Sequence, residues 1–217
     1  MENALTKLFA HAKRYQCPKG QILVSPDQEP RGVILIHQGY VKTYDIDLRG
    51  ENQLVAISAP GEIIPLFWAI DEEPGQLFYQ AMTELEFSLI RRAEFRRALD
   101  QDVELLKIIV KYLLRSSKFS QQRIQNLEYK TAQERIAFRL LFLSTYFGLR
   151  QAGAVRIVLP ITYQDIADST NMTRDTANRV MRQLTKDGII KRSDHRIDIV
   201  APEKLQDIIG TETTLNN

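Results

Sequence analysis

The apolar positions of this chain change period twice along its length. Up to residue 90 they fall in short runs: Gln21-Ile22-Leu23-Val24, Gly32-Val33-Ile34-Leu35-Ile36-His37, Tyr40-Val41-Lys42-Thr43-Tyr44-Asp45-Ile46 and Asn52-Gln53-Leu54-Val55-Ala56-Ile57. Their β-branched and aromatic content predicts strands. Leu48-Arg49-Gly50-Glu51 predicts a hairpin turn, Pro60-Gly61-Glu62 another turn, and residues 77–83 and 86–90 a further strand pair. Six of the ten glycines and six of the eight prolines lie in residues 18–75, whereas residues 76–147 contain neither. Close breakers followed by none predict a small all-β barrel, sandwich or roll that gives way to long helices.

From Arg92 the period becomes helical. Leu106, Val110, Leu113, Ser117, Ser120, Ile124 and Leu127 are spaced alternately by four and three, a heptad seam along which two helices pair. Leu105, Ile108, Ile109 and Leu114 widen the apolar face, so part of the helix is expected to pack on its own domain. Thr131-Ala132-Gln133-Glu134 is a capping box for a new helix through Ile136, Leu140, Leu143 and Phe147 that stops at Gly148, a natural residue just past a helix end. A hinge is expected near residues 126–131.

The period changes again at 161–200. Thr162-Tyr163-Gln164-Asp165 is a second capping box, and its short helix buries Ile166, Ala167 and Thr170. Asn171 tolerates the left-handed backbone of a tight turn, and Met172 plugs that turn. Thr173 caps a second helix with Ala177, Val180, Met181 and Leu184 inward and Arg174, Asp175, Asn178, Arg179 and Arg182 outward. Ile189-Ile190-Lys191-Arg192, the turn Ser193-Asp194-His195, and Arg196-Ile197-Asp198-Ile199-Val200 predict a two-stranded wing. The whole is the pattern of a winged helix-turn-helix.

Composition supplies exclusions. The 217 residues are 44% hydrophobic and 26% charged, ordinary for a globular protein. No apolar run approaches the roughly 18–20 residues of a membrane span, and the N-terminus lacks a secretory pattern, so a cytoplasmic protein without membrane partner is expected. Cys17 is the single cysteine and the three histidines are far apart. No metal site, four-cysteine iron–sulfur cluster or other cofactor is therefore expected. No Walker A, G-x-S-x-G or H-E-x-x-H motif occurs, so an enzyme is not expected. The net charge is +2, yet residues 1–133 balance at 17 basic and 17 acidic. Residues 171–196 hold seven basic residues against three acids, the footprint of a polyanion partner.

With these residues in view, the chain resembles the Crp/Fnr superfamily of bacterial transcription regulators over nearly its whole length. Lys19-Gly20-Gln21-Ile22-Leu23, Gly32-Val33-Ile34-Leu35-Ile36, Gly39-Tyr40-Val41-Lys42 and Pro60-Gly61-Glu62 resemble the glycine punctuation of the cyclic-nucleotide-binding roll. Thr173-Arg174-Asp175-Thr176-Ala177-Asn178-Arg179 resembles the recognition-helix motif Ser-Arg-Glu-Thr-Val-x-Arg. The resemblance implies an α+β chain. A double-stranded, jelly-roll-like β-roll spans 1–100, a dimerisation helix and hinge 101–130, and a winged helix-turn-helix 131–217. It implies a homodimer on an inverted-repeat site in double-stranded DNA, with RNA polymerase as a partner. Arg174, Asp175 and Arg179 then read base edges, with Asn178 and Arg182 on the same face. Thr162 and Thr173 lie at the helix starts, and Lys191, Arg192 and Arg196 on the wing contact phosphates.

The effector cassette departs from the cyclic-AMP pattern. An Arg-Ser pair holds the cyclic phosphate there, and the matching stretch here is Gly75-Gln76-Leu77-Phe78-Tyr79-Gln80-Ala81. Ser120-Gln121 stands where a Thr-Ser pair contacts the adenine. Phe78-Tyr79-x-Ala81 is similar to the cyanobacterial regulators that sense 2-oxoglutarate, with Leu77 in place of their arginine. The effector-site residues implied are Gly61, Glu62, Gln76, Phe78, Tyr79, Ser120 and Gln121, for an effector other than cyclic AMP. A roll that binds nothing, and a sensing module that acts mainly through protein contacts, both stay open.

Overall fold

The computed structural model describes residues 4–26, 28–71, 75–151, 153–193 and 196–210. Two compact units divide the chain, residues 1–119 and residues 120–217.

The first unit begins with α1 (Ala4–Leu8), β1 (Arg14–Cys17), β2 (Ile22–Val24), β3 (Val33–Gln38), β4 (Val41–Ile46), β5 (Asn52–Ser58) and β6 (Ile63–Ile64). It continues with α2 (Leu66–Asp71), β7 (Phe78–Ala81), β8 (Leu85–Ile90), α3 (Arg92–Gln101) and the first part of α4 (Val103–Glu128). The strands form two antiparallel sheets, ordered β1-β8-β3-β6 and β2-β7-β4-β5. Val33, Ile34, Leu35 and Ile36 are all buried because β3 is covered on both faces. Ile34 and Ile36 meet Val41, Tyr79 and Ala81 of the facing sheet, while Val33 and Leu35 meet Trp68, Phe95, Leu105 and Ile109 from the helices. This double burial explains the missing polar alternation in that run.

The hairpin turn forms as expected: the Gly50 amide donates to the Asp47 carbonyl at 2.9 Å, with Gly50 at φ +80°. Residues 77–83 and 86–90 do not pair with each other. β7 lies between β2 and β4, and β8 between β1 and β3, because residues 82–84 carry the chain from one sheet to the other. Gly39, at φ +90°, makes a comparable turn where a Cβ would meet the Glu84 carbonyl oxygen at 2.2 Å.

The second unit holds the end of α4, then α5 (Ala132–Phe147), β9 (Gly148–Gln151), β10 (Ala154–Ile157), α6 (Tyr163–Thr170) and α7 (Arg174–Lys186). It closes with β11 (Ile190–Ser193), β12 (Arg196–Ile199) and α8 (Pro202–Ile208). Gly148 ends α5 as expected. It is extended at φ −94°, ψ 138° and opens β9, and glycine is needed because a Cβ would meet the Ser144 carbonyl oxygen at 2.0 Å. α4 continues to Glu128, so the first three residues of the expected 126–131 hinge are helical. Among the described residues no helix is long and apolar enough to cross a membrane.

Candidate nucleic-acid interface and roll cavity

Local capping sets up the helix pair of the second unit. Thr131 accepts from the Glu134 amide at 3.1 Å and its own amide donates to Glu134 Oε2 at 2.8 Å, which starts α5. Ile136, Ala137, Leu140 and Leu143 of α5 are fully buried. Thr162 accepts from the Asp165 amide at 3.1 Å and donates its hydroxyl to Asp165 Oδ2 at 2.6 Å, which starts α6. Ile166 and Ala167 are wholly buried and Thr170 nearly so. Asn171 then turns the chain at φ 52°, ψ 56°, and the Met172 amide bonds back to the Ala167 carbonyl at 3.2 Å. Thr173 caps α7 through the Thr176 amide at 3.3 Å.

The inner face of α7 is Ala177, Met181 and Leu184, all fully buried, with Val180 half-buried. Arg174, Asp175, Arg179 and Arg182 are exposed and Asn178 is half-buried beside them. Among the described residues these three arginines form no ion pair and stand exposed to solvent. Asp175, Asn178, Arg179, Arg182, Gln183 and Lys186 line one shallow groove along the helix.

The sheet order β11-β12-β10-β9 forms the wing. Ile190, Ile197 and Ile199 anchor it in the core, while Lys191, Arg192 and Arg196 are exposed. Asp194 and His195 of the expected wing turn lie outside the described residues. Arg156 and Asp198 form a two-armed ion pair at 2.7 and 2.9 Å across β10 and β12, which holds the Asp198 carboxyl below its ordinary range. Arg192 lies over the Tyr163 ring, 4.0 Å from its centroid, and so links wing and α6. Sequence reasoning overlooked Tyr163; an aromatic at the first position of the short helix was the available signal.

The roll has its own half-open cavity of about 110 Å³. Glu62 and Tyr79, both expected at the effector site, line it; so do Phe67, Tyr112, Arg115 and Phe119. Gly61 adjoins it, since Tyr112 donates its hydroxyl to the Gly61 carbonyl. Phe78 instead stacks on Tyr44, with ring centroids 5.1 Å apart, and Gln76 is exposed. Ser120 and Gln121 are exposed on α4 in the other unit. Arg115 pairs with Glu62 at 2.7 Å. Burial still pushes the Glu62 carboxyl up, against the opposing pull of Arg115, and burial pushes the Tyr79 phenol up to about 12. Tyr112, Arg115 and Phe119 were missed, although their spacing of three and four marks one helix face.

The expected seam residues Leu106, Val110, Ser117, Ser120, Ile124 and Leu127 are exposed, and Leu113 packs against the roll core. Ile124 and Leu127 are 64% and 58% exposed. Among the described residues no group of three His, Cys, Asp or Glu side chains is placed to hold a metal ion.

Comparison with known proteins accords with this anatomy. Residues 14–102 match the cyclic nucleotide-binding domain and residues 134–208 the Crp-like helix-turn-helix domain. The chain is 30% identical over 174 residues to the nitrogen fixation regulation protein FixK of Rhizobium meliloti, covering 80% of this chain and 76% of that protein. It is 28% identical over 195 residues to the fumarate and nitrate reduction regulatory protein of Vibrio cholerae, covering 88% and 76%. The structure of FixK2 from Bradyrhizobium japonicum superposes with a TM-score of 0.78 at 22% identity, covering 93% of this chain and 99% of that one. The chain belongs to the Crp/Fnr family, whose members are transcription regulators rather than enzymes.

Proposed function

We propose that this protein is a homodimeric, sequence-specific DNA-binding regulator, that α7 reads the major groove, and that cyclic AMP does not control it. The observation that carries the reading is the row of exposed arginines, unpaired among the described residues, on a helix whose opposite face is locked into the core. Arg174 and Arg179 are the base readers, each matched to guanine O6 and N7, and Asp175 accepts from cytosine. Asn178 and Arg182 extend the same face. Thr162 and Thr173 fix the two helix starts, and Lys191, Arg192 and Arg196 meet phosphates.

Pairing of two copies along the exposed seam from Leu106 to Leu127 supplies two recognition helices. The target is therefore an inverted repeat with half-site centres about 10–10.5 bp apart. Residues 1–100, 101–130 and 131–217 act as roll, dimerisation segment and reader, and the connection just after Glu128 is where reader domains reorient. RNA polymerase is the downstream partner, in the cytoplasm. Output through protein contacts alone would leave the arginine row without a use.

Two features favour a roll that does not answer to cyclic AMP. Its space of about 110 Å³ is below the roughly 300–1,000 Å³ of ordinary ligand pockets. Among the described residues that line it the one cation, Arg115, is already paired with Glu62, and Gly75-Gln76 brings no charge to a cyclic phosphate. Calorimetry with cyclic AMP is expected to show no micromolar binding.

Selection of sites from a random DNA library tests the reader assignments. Wild type is expected to select a two-fold symmetric motif. Arg179→Ala should relax one base pair per half-site, and Arg192→Ala should keep the motif while weakening all sequences alike. A wild-type motif without symmetry would overturn the dimeric reading. A motif changed by Arg192→Ala but not by Arg179→Ala would reverse the two roles.

A further inference from the structure

The wing divides its basic residues between two faces. β11 and β12 pair antiparallel, with Ile190 opposite Ile199, Lys191 opposite Asp198 and Arg192 opposite Ile197. Directly opposed residues share a face of the sheet, and so do alternate residues of one strand. Arg192 therefore stands on the face of Ile190, Ile197 and Ile199, all of them buried. Lys191 and Arg196 stand on the opposite face with Asp198, whose carboxylate is taken by Arg156. An apolar residue is the ordinary occupant of a position on the core side of such a sheet. Here an arginine fills it, on the edge strand, and the Tyr163 ring at the first position of α6 covers it.

The guanidinium carbon of Arg192 is 4.0 Å from the ring centroid, which is van der Waals contact with the ring face. Arg92 on Trp68 and Arg115 on Phe119 stand farther off, at 5.5 and 5.7 Å. A stack of this kind uses the flat face of the guanidinium and leaves its N–H edge open to an acceptor. Arg192 is exposed and, among the described residues, makes no ion pair or hydrogen bond that would occupy that edge. Tyr163 is half-buried, and the capping box of Thr162 and Asp165 fixes the backbone at the start of its helix. We propose that Tyr163 is a positioning residue for DNA binding, whose ring holds the Arg192 guanidinium beside the start of α6 with its N–H edge free to donate to a DNA phosphate. The ring removes part of the side chain's rotamer freedom before DNA arrives, so less is lost on contact. Lys191 and Arg196, on the other face, have no ring beneath them among the described residues. The proposal rests on the reading of the second unit as a DNA reader, and it separates Arg192 from the other two wing cations.

Double-mutant cycles on DNA affinity test the assignment. The full chain is compared as wild type, Arg192→Ala, Lys191→Ala, Tyr163→Phe, Tyr163→Leu, and Tyr163→Leu combined with each wing substitution. Fluorescence anisotropy is read over a range of chloride concentrations, on the duplex that wild type selects and on an unrelated duplex. Tyr163→Leu, which keeps an apolar side chain and loses the π face, should weaken binding to both duplexes about threefold per half-site. Tyr163→Phe should bind as wild type. Arg192→Ala should weaken both duplexes and lower the salt slope by about one per half-site. Adding Tyr163→Leu to Arg192→Ala should cost nothing more, whereas with Lys191→Ala the two losses should multiply. Wild-type affinity in Tyr163→Leu or in Arg192→Ala would overturn the proposal. So would losses that multiply in the Arg192 cycle, or equal coupling to Lys191, the sign of a general disturbance of the wing. If Tyr163→Leu does not fold, Arg192→Lys takes its place: it keeps the charge and gives up the planar stack, and wild-type affinity in that variant overturns the proposal. No binding of wild type to either duplex would overturn the DNA reading itself, and this proposal with it.

Discussion

The roll cavity and the recognition helix treat arginine in opposite ways. Arg115 lines the roll cavity and is met by Glu62 at 2.7 Å, so the roll offsets that charge itself. Arg174, Arg179 and Arg182 turn outward and are met by nothing among the described residues. Within one chain, one cation is paired at the wall of a cavity while three stand exposed. The first arrangement offsets part of the cost of burying the Glu62 carboxyl. On the proposed reading the second serves binding, because each phosphate or base contact would release counter-ions or fill an arginine fork. Where a charge is satisfied separates a residue that holds the fold from one that acts on a partner.

The largest test removes the second reader altogether. Ile124→Glu with Leu127→Glu changes only exposed seam positions, so each chain should still fold. Light scattering should show monomers, and affinity for a two-half-site operator should fall by about a hundredfold or more as the linked second contact is lost. An unchanged dimer would place the interface elsewhere. Next comes the outward charge itself. Arg179→Ala should cost about 1–3 kcal/mol of DNA affinity per half-site, with an unaltered urea midpoint. A fall in the midpoint would mean that Arg179 holds the fold after all.

The inward side should show the reverse. Tyr112→Phe deletes the hydroxyl that bonds to the Gly61 carbonyl and should destabilise the protein by about 0.5–1.5 kcal/mol with DNA affinity per folded dimer unchanged. Urea unfolding and gel retardation on the same samples would expose any leakage between the two properties. The smallest effect concerns pH. Burial raises the Glu62 carboxyl above its unfolded value, so the folded chain takes up that proton more readily. The resulting stability is fully present below the unfolded value and is lost as pH rises through the folded one. Glu62→Gln has no such proton. The difference in unfolding midpoint, wild type minus variant, should therefore decline with rising pH across that acid range and then stay flat. A difference that grows with pH would mean that Arg115 outweighs burial.

The reader unit was the more legible half. Its capping boxes, the left-handed Asn171 and the wing strands are local features, written in residues no more than a few positions apart. The roll was less so. β1 (Arg14-Tyr15-Gln16-Cys17) has no apolar alternation, because it is an edge strand beside β8 alone. β6 is two residues long, and β9 carries no buried residue at all. β7 and β8 follow each other closely and still belong to different sheets, which adjacency along the chain cannot foretell. The roll cavity draws Tyr112, Arg115 and Phe119 from a helix far along the chain from Glu62, so only folding reveals that they share a space with it.

By itself the sequence determined what short-range physics decides: strands where β-branched runs meet close breakers, helices where capping boxes precede a 3.6-residue period, and an outward basic face on the helix after Asn171. Tertiary structure decided what depends on contacts between distant segments. It chose which sheet each strand joins, which seam residues stay exposed, and which charged groups find a partner. Arg115 and Arg179 are alike as letters in a sequence. They differ because packing brings a carboxylate to one and leaves the other in solvent, and the electrostatic free energy of a charge is set by its surroundings rather than by its identity.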